Sequence, residues 1–261
     1  MEPSLTRQKT LRTVAFAIAS FLMGAGAVHA QPAADAGAAA AKAPAKAASS
    51  PAGKPGTKGK GAAAGGDSVD LKEVPASTPP ASSSPLAELK KSNDQLDKIL
   101  RKKYPNWSPE AEAQKAEVRK LVGGFLDYPE LARRSLAKHW DGLTPAQRKD
   151  FVNTLRDLVE RSYLKQVSGD PNYNIKYTKE EKTGSEAKVE ATLNTVSRGK
   201  KVAIALEYHL IYKGHWLVYD VITDEQSMLE NYRAEFNKII NKDGFDALLK
   251  RMKKKLDEKD E

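Results

Sequence analysis

The sequence predicts an α+β domain in which helices pack on one face of a roughly four-stranded antiparallel meander. Three observations predict it. From residue 85 to 167 apolar side chains recur every three or four positions, the period of a helix. From about residue 173 to 223 the period drops to two, and after Ser227 the helical period returns. A block of helices, a block of strands and a second block of helices is the order of an α+β fold rather than of alternating βα units.

The elements follow in order. Ser84-Pro85 is a cap residue followed by proline at the first helical position, ahead of the stripe Leu86, Leu89, Leu96, Ile99 and Leu100. Ser108-Pro109 repeats the signal before the wider stripe Val118, Leu121, Val122, Phe125 and Leu126. Tyr128-Pro129 opens a short third helix holding Leu131, Leu136 and Trp140. Thr144-Pro145-Ala146-Gln147 is a capping box whose helix buries Phe151, Val152, Leu155, Leu158, Val159 and Tyr163 and stops at Gly169-Asp170-Pro171.

Strands are predicted over 173–181, 186–196, 201–212 and 215–223, joined by turns at Thr183-Gly184, Arg198-Gly199 and Lys213-Gly214. The second strand alternates Ala187, Val189, Ala191 and Leu193 with Glu186, Lys188, Glu190 and Thr192, so it has one dry and one wet face. The next two, VAIALEYHLIY and WLVYDVI, are apolar on both faces, which predicts that the middle of the sheet is covered twice. Ser227-Met228-Leu229-Glu230 is a second capping box; its helix breaks at Asp243-Gly244 before a last helix, FDALLKRMKKKLDEK. The domain spans 85–258, and 259–261 form a charged tail.

The first 84 residues are of another kind. Arg7, Lys9 and Arg12 precede the apolar run TVAFAIASFLMGAGAV, and Val28-His29-Ala30 suits signal peptidase, so 1–30 reads as a cleaved export signal. Residues 31–84, rich in Ala, Pro, Gly, Lys and Ser, offer too little apolar surface to offset ordering entropy and read as a disordered linker.

With no cysteine, the chain forms no disulfide, no thiol nucleophile and no acylated lipoprotein cysteine. A net charge of +9 calls for acidic partners, and export directs that preference to the anionic cell envelope rather than to nucleic acid.

Little in the sequence points to catalysis. His139, His209 and His215 fall on a helix end, a strand and a turn; His209 and His215, six residues apart, have no third ligand to make a zinc site, so no metal is expected. Asp220 stands among Val218, Tyr219, Val221 and Ile222. It is either a carboxylate raised in pKa by apolar surroundings and used as a base, or an ionised group accepting hydrogen bonds from Arg233, Tyr232 or a helix start. No catalytic residue is assigned. The last helix places Lys250, Arg251, Lys253, Lys254 and Lys255 behind an apolar stripe, a candidate face for membrane or partner contact.

Four stretches together resemble the toluene-tolerance family, which includes the periplasmic lipid carrier of Mla-type pathways. They are YPELARRSLAKHWDGLTPAQRKDFVNTLRDLVERSYLKQ (128–166), YHLIYKGHWLVYDV (208–221), SMLENYRAEF (227–236) and GFDALLKRMKKKL (244–256). The resemblance implies a periplasmic, non-enzymatic phospholipid carrier with an apolar cavity between sheet and helices, lipid as cargo and no cofactor. It implies as partners an outer-membrane lipoprotein complex and an inner-membrane ABC transporter with an MCE-domain protein. The cavity wall would draw on Phe151, Leu155, Leu158, Val189, Leu193, Ile204, Leu206, Tyr208, Trp216, Val218, Leu229 and Phe236. Where the family follows the aspartate strand with Glu-Gly-Val-Ser or a close variant, this chain has Asp224-Glu225-Gln226-Ser227, which removes a glycine suited to positive φ. A hopanoid or other polycyclic lipid is an alternative cargo. An envelope adaptor, or a small enzyme using Asp220 as base, is an alternative function.

Overall fold

Proline and cap residues set where each helix starts. In the computed structural model, which describes residues 74–105, 108–167, 173–197 and 200–258, helix α1 (Pro85–Leu100) begins at Ser84, whose hydroxyl accepts from the Ala87 N–H. Helix α2 (Pro109–Phe125) is capped likewise by Ser108, and α3 (Tyr128–Leu136) by the Asp127 carboxylate. A 3-10 turn (Ala137–His139) follows α3, so Trp140 lies past the helix predicted to hold it, though it is buried. Helix α4 (Pro145–Val167) shows the full capping box: Gln147 N–H donates to Thr144 Oγ1, and Thr144 N–H donates to Gln147 Oε1. The stop predicted at 169–171 lies outside the described residues.

The meander has five strands in sequential antiparallel order: β1 (Tyr173–Thr183), β2 (Glu186–Ser197), β3 (Lys200–Tyr212), β4 (Trp216–Thr223) and β5 (Gln226–Ser227). The predicted turns at Gly184 and Gly214 carry φ of +61° and +90°, values that cost glycine least. The turn predicted at 198–199 is outside the described residues. The two-residue β5 was not predicted. It forms because Asp224 and Glu225 take φ of +46° and +66°, closing a tight hairpin that pairs Thr223 with Gln226. The loss of a glycine expected from the resemblance therefore does not remove positive φ here: two acidic residues adopt it. Helix α5 (Met228–Asp243) starts at Ser227 and α6 (Phe245–Asp257) follows Gly244.

Alternation decides which sheet face is dry. Val189, Ala191 and Leu193 of β2 and Ile204, Leu206, Tyr208 and Leu210 of β3 are buried in the core shared with the helices. On the opposite face of β3, Ala203 and Ala205 are exposed, while Glu207 and His209 are half-buried. This corrects the expectation of a sheet covered on both sides: alanine is apolar but too small to demand burial. Among the described residues, only the β3–β4 end is covered twice. There a bulge opposite His209–Leu210 inserts one residue into β4, which lets Val218, Tyr219 and Asp220 all be buried in succession. The Arg134 guanidinium covers the Tyr219 ring at 4.0 Å.

Contacts with the domain begin before the cap at Ser84. The Ser77 N–H donates to the Tyr212 carbonyl, the Trp216 indole donates to Ser83 Oγ at 3.2 Å, and Lys182 donates to the Ser83 carbonyl. The end of the polar stretch is held on the domain through backbone and hydroxyl groups, which a count of apolar residues does not register.

Candidate functional site

All twelve predicted wall residues are buried, but the structure divides them between two ends of the core. At one end Phe151 of α4 meets Phe236 of α5 edge-on at 5.4 Å and Phe245 of α6 at 5.9 Å, and Phe236 stacks on Tyr232. Three helices close on one another there, with Leu229 buried in the first turn of α5. Trp216 and Val218 belong to the β3–β4 hairpin end, where Trp216 packs on Tyr212 and holds Ser83.

The remaining strand residues form rows across the sheet. Antiparallel register sets Ile175, Leu193 and Ile204 in one row, and Tyr177, Ala191 and Leu206 in the next; Val189 pairs with Tyr208. Burial declines along the sheet. Leu193, Ile204, Ala191 and Leu206 are buried, whereas Tyr173, Thr195 and Val202, the row beyond them, are only partly so. Tyr163 and Leu164 near the end of α4 are likewise partly buried against the core. The inner sheet face thus ends in side chains that are less covered than the rows before them, beside the last described turns of α4.

Tyr163, Tyr173, Ile175, Tyr177 and Val202, partly buried against the core at this end, were not among the predicted wall residues. The strict alternation Tyr173-Asn174-Ile175-Lys176-Tyr177 was the available signal. Asn93 of α1 donates to the Tyr177 hydroxyl at 2.6 Å. Burial raises the Tyr163 hydroxyl well above its usual pKa, and also raises those of Tyr173, Tyr177 and Tyr208, so all four are neutral donors at physiological pH.

Asp220 proves to be the anchor of a helix start. Its carboxylate accepts from Ser227 Oγ at 2.6 Å and from the Leu229 N–H at 2.9 Å, which places negative charge at the positive end of α5. The capping box at Ser227 is therefore only half formed: Ser227 accepts from the Glu230 N–H, but the Glu230 side chain turns to Arg233. His139 pairs with Asn237, His209 with Glu207 on the open sheet face, and His215 is exposed in its turn. No group of three or more potential metal-binding side chains occurs among the described residues.

Two charged regions complete the surface. On α6, Arg251 pairs with Asp243 and Lys253 with Asp150 of α4, so the predicted basic face is partly neutralised within the domain. Between α1 and α2 runs a groove of about 650 Å³, floored by Ile99 and Leu121 and edged by Lys98, Lys102, Lys120 and Glu117. Nearer the core, Lys213 of the β3–β4 turn lies 2.7 Å from Asp127 and 3.5 Å from Glu130, both buried, and Arg133 and Arg134 also reach Glu130. Burial opposes ionisation of Glu130, but the arginine hydrogen bonds outweigh it and hold its pKa down at about 2.

Comparison with known proteins agrees with this architecture. A family model described as "MlaC protein" matches residues 90–254. The intermembrane phospholipid transport system binding protein of Haemophilus influenzae is 23% identical over 176 residues, covering 66% of this chain and 82% of that protein. The solved structure of a phospholipid-binding protein from Ralstonia solanacearum, in complex with a phospholipid, superposes with a TM-score of 0.56 at 19% identity. That match covers 67% of this chain and 98% of the other, and it shows a shared fold.

Proposed function

Because the chain belongs to the MlaC protein family, we propose that it is a periplasmic carrier of phospholipid. It buries acyl tails between the inner sheet face and α4 and passes lipid between the outer- and inner-membrane complexes of an Mla-type system. The observation that carries the reading is the dry sheet face, buried through the rows of Tyr208, Leu206 and Ile204 and only partly buried at Tyr173, Thr195 and Val202. An apolar interior less covered at one end would accept a long apolar chain lengthwise and leave a polar head outside. Leu158, Leu193, Ile204 and Leu206 would line the tails, with Phe151 and Phe236 closing the far end.

The energetics suit a carrier without a nucleotide site. Burying acyl chain is worth about 0.8 kcal/mol per methylene, so a lipid held here escapes into water extremely slowly. Transfer to a bilayer interior or another apolar cavity replaces like with like and lies close to balance. Asp220, tied to the start of α5 through both oxygens, fits a structural role in this scheme better than that of a base.

The test is direct. Protein purified in mild buffer and extracted with organic solvent should release diacyl phospholipid detectable by mass spectrometry, and delipidated protein should take lipid up from vesicles. Protein that yields no lipid and acquires none would overturn the reading.

A further inference from the structure

We propose that the groove between α1 and α2, with Tyr104 just beyond it, docks the domain on an anionic lipid bilayer. The binding itself does not require the carrier reading. Taken with that reading, it sets the less covered end of the sheet against the membrane.

Uncompensated charge singles the groove out. Lys98 of α1, Lys102 just past its end and Lys120 of α2 edge it; all three are exposed, and none has an ion-pair partner among the described residues. Elsewhere on the same helices cations are answered locally: Lys90 pairs with Asp94, Arg101 with Asp97 and Lys115 with Glu112. Glu117 is the one carboxylate among the residues lining the groove, and Ile99 and Leu121 give it an apolar floor. Tyr104, 38% exposed, is one of three large apolar side chains left exposed among the described residues. The backbone that presents these groups is fixed, because Gln114 of α2 donates to the carbonyls of Ile99 and Lys102 at 2.6 and 2.8 Å.

The chemistry favours lipid over a protein partner. Lysine is a compact point charge suited to a surface of phosphates, whereas a carboxylate is met best by the planar fork of arginine. Arg101, beside Lys102, is already held by Asp97. A tyrosine next to a basic stretch suits the membrane interface, where its ring meets the glycerol layer and its hydroxyl meets water.

The course of α1 places this face relative to the core. At its start, Ser84 Oγ and the Leu86 N–H donate to Glu180 of β1, and further along Asn93 donates to the Tyr177 hydroxyl. The two turns of α1 that remain cover about 10 Å, the length of about three strand residues. Lys98 and Lys102 therefore lie toward the Tyr173 end of β1, where the inner sheet face is least covered.

Cosedimentation of the exported chain with vesicles tests the proposal. The chain should bind vesicles of phosphatidylglycerol and phosphatidylcholine, and not vesicles of phosphatidylcholine alone. Lys98→Gln, Lys102→Gln and Lys120→Gln together should weaken that binding about a hundredfold, about fivefold for each lysine at the surface. Lys242→Gln, Lys250→Gln and Lys254→Gln on α5 and α6 remove the same charge and should change it less than about threefold. Both variants should keep the wild-type melting temperature, and the lysines of residues 31–73 are common to all three proteins. Equal binding to the two kinds of vesicle, or equal weakening by the two variants, would overturn the proposal. So would a chain that ignores vesicles and uses the three lysines to hold an acidic protein. A chain that binds anionic vesicles but carries no lipid would refute only the carrier reading.

Discussion

Replacing Glu130 by Gln should destabilise the domain near neutral pH and flatten its acid response. Glu130 is only 6% exposed, yet it is ionised, because Arg133 and Arg134 donate to it and Lys213 stands 3.5 Å away. Its folded pKa of about 2, against 4.5 for a free side chain, means that folding favours the charged form. That contribution is fully present above about pH 4.5 and is lost as pH falls through the folded value near 2. The difference is equivalent to about 3 kcal/mol. Arg133 is half exposed, so screening reduces this to about 2 kcal/mol. Urea unfolding at pH 7, 4 and 3 measures it. The wild-type chain should lose more than half of the contribution by pH 3, and Glu130→Gln should be about 2 kcal/mol less stable at pH 7 with a correspondingly shallower decline. A variant as stable as the wild type at pH 7, or one with the same loss between pH 7 and 3, would refute the reasoning.

Other perturbations test other parts of the fold. Glu225→Gly should stabilise the β4–β5 hairpin by about 1 kcal/mol, because glycine holds a φ of +66° without strain; thermal unfolding reads the gain, and a loss would show that the Glu225 side chain matters more than its backbone. Leu155→Ala, at a side chain wholly buried on α4, should cost about 3 kcal/mol in denaturant titration, and a cost below about 1 would mean that the site collapses without a void. Deleting residues 31–73 should leave the melting temperature unchanged, since that composition offers little to a core. Extending the deletion to Ser83 should lower it by several degrees, through loss of the bonds to Tyr212, Trp216 and Lys182.

Local chemistry was legible in the sequence wherever it is written within a few residues. Ser84-Pro85, Ser108-Pro109 and Thr144-Pro145-Ala146-Gln147 start helices, and glycines at 184 and 214 make turns, because caps and positive-φ positions depend on their nearest neighbours. The period of apolar residues placed the sheet between two helical blocks and identified its dry face. Tertiary structure decided what depends on distant residues meeting. A bulge in β4 turned an apparently two-sided run into a covered corner, and the α5 start claimed Asp220 as an anchor. Lys213 of a turn found Asp127 and Glu130 more than eighty positions earlier in the chain. The tyrosines divided most sharply. Their alternation in β1 is local and readable, but the hydrogen bond that Asn93 of α1 gives Tyr177 follows from helix packing on the sheet, which no short stretch of sequence encodes.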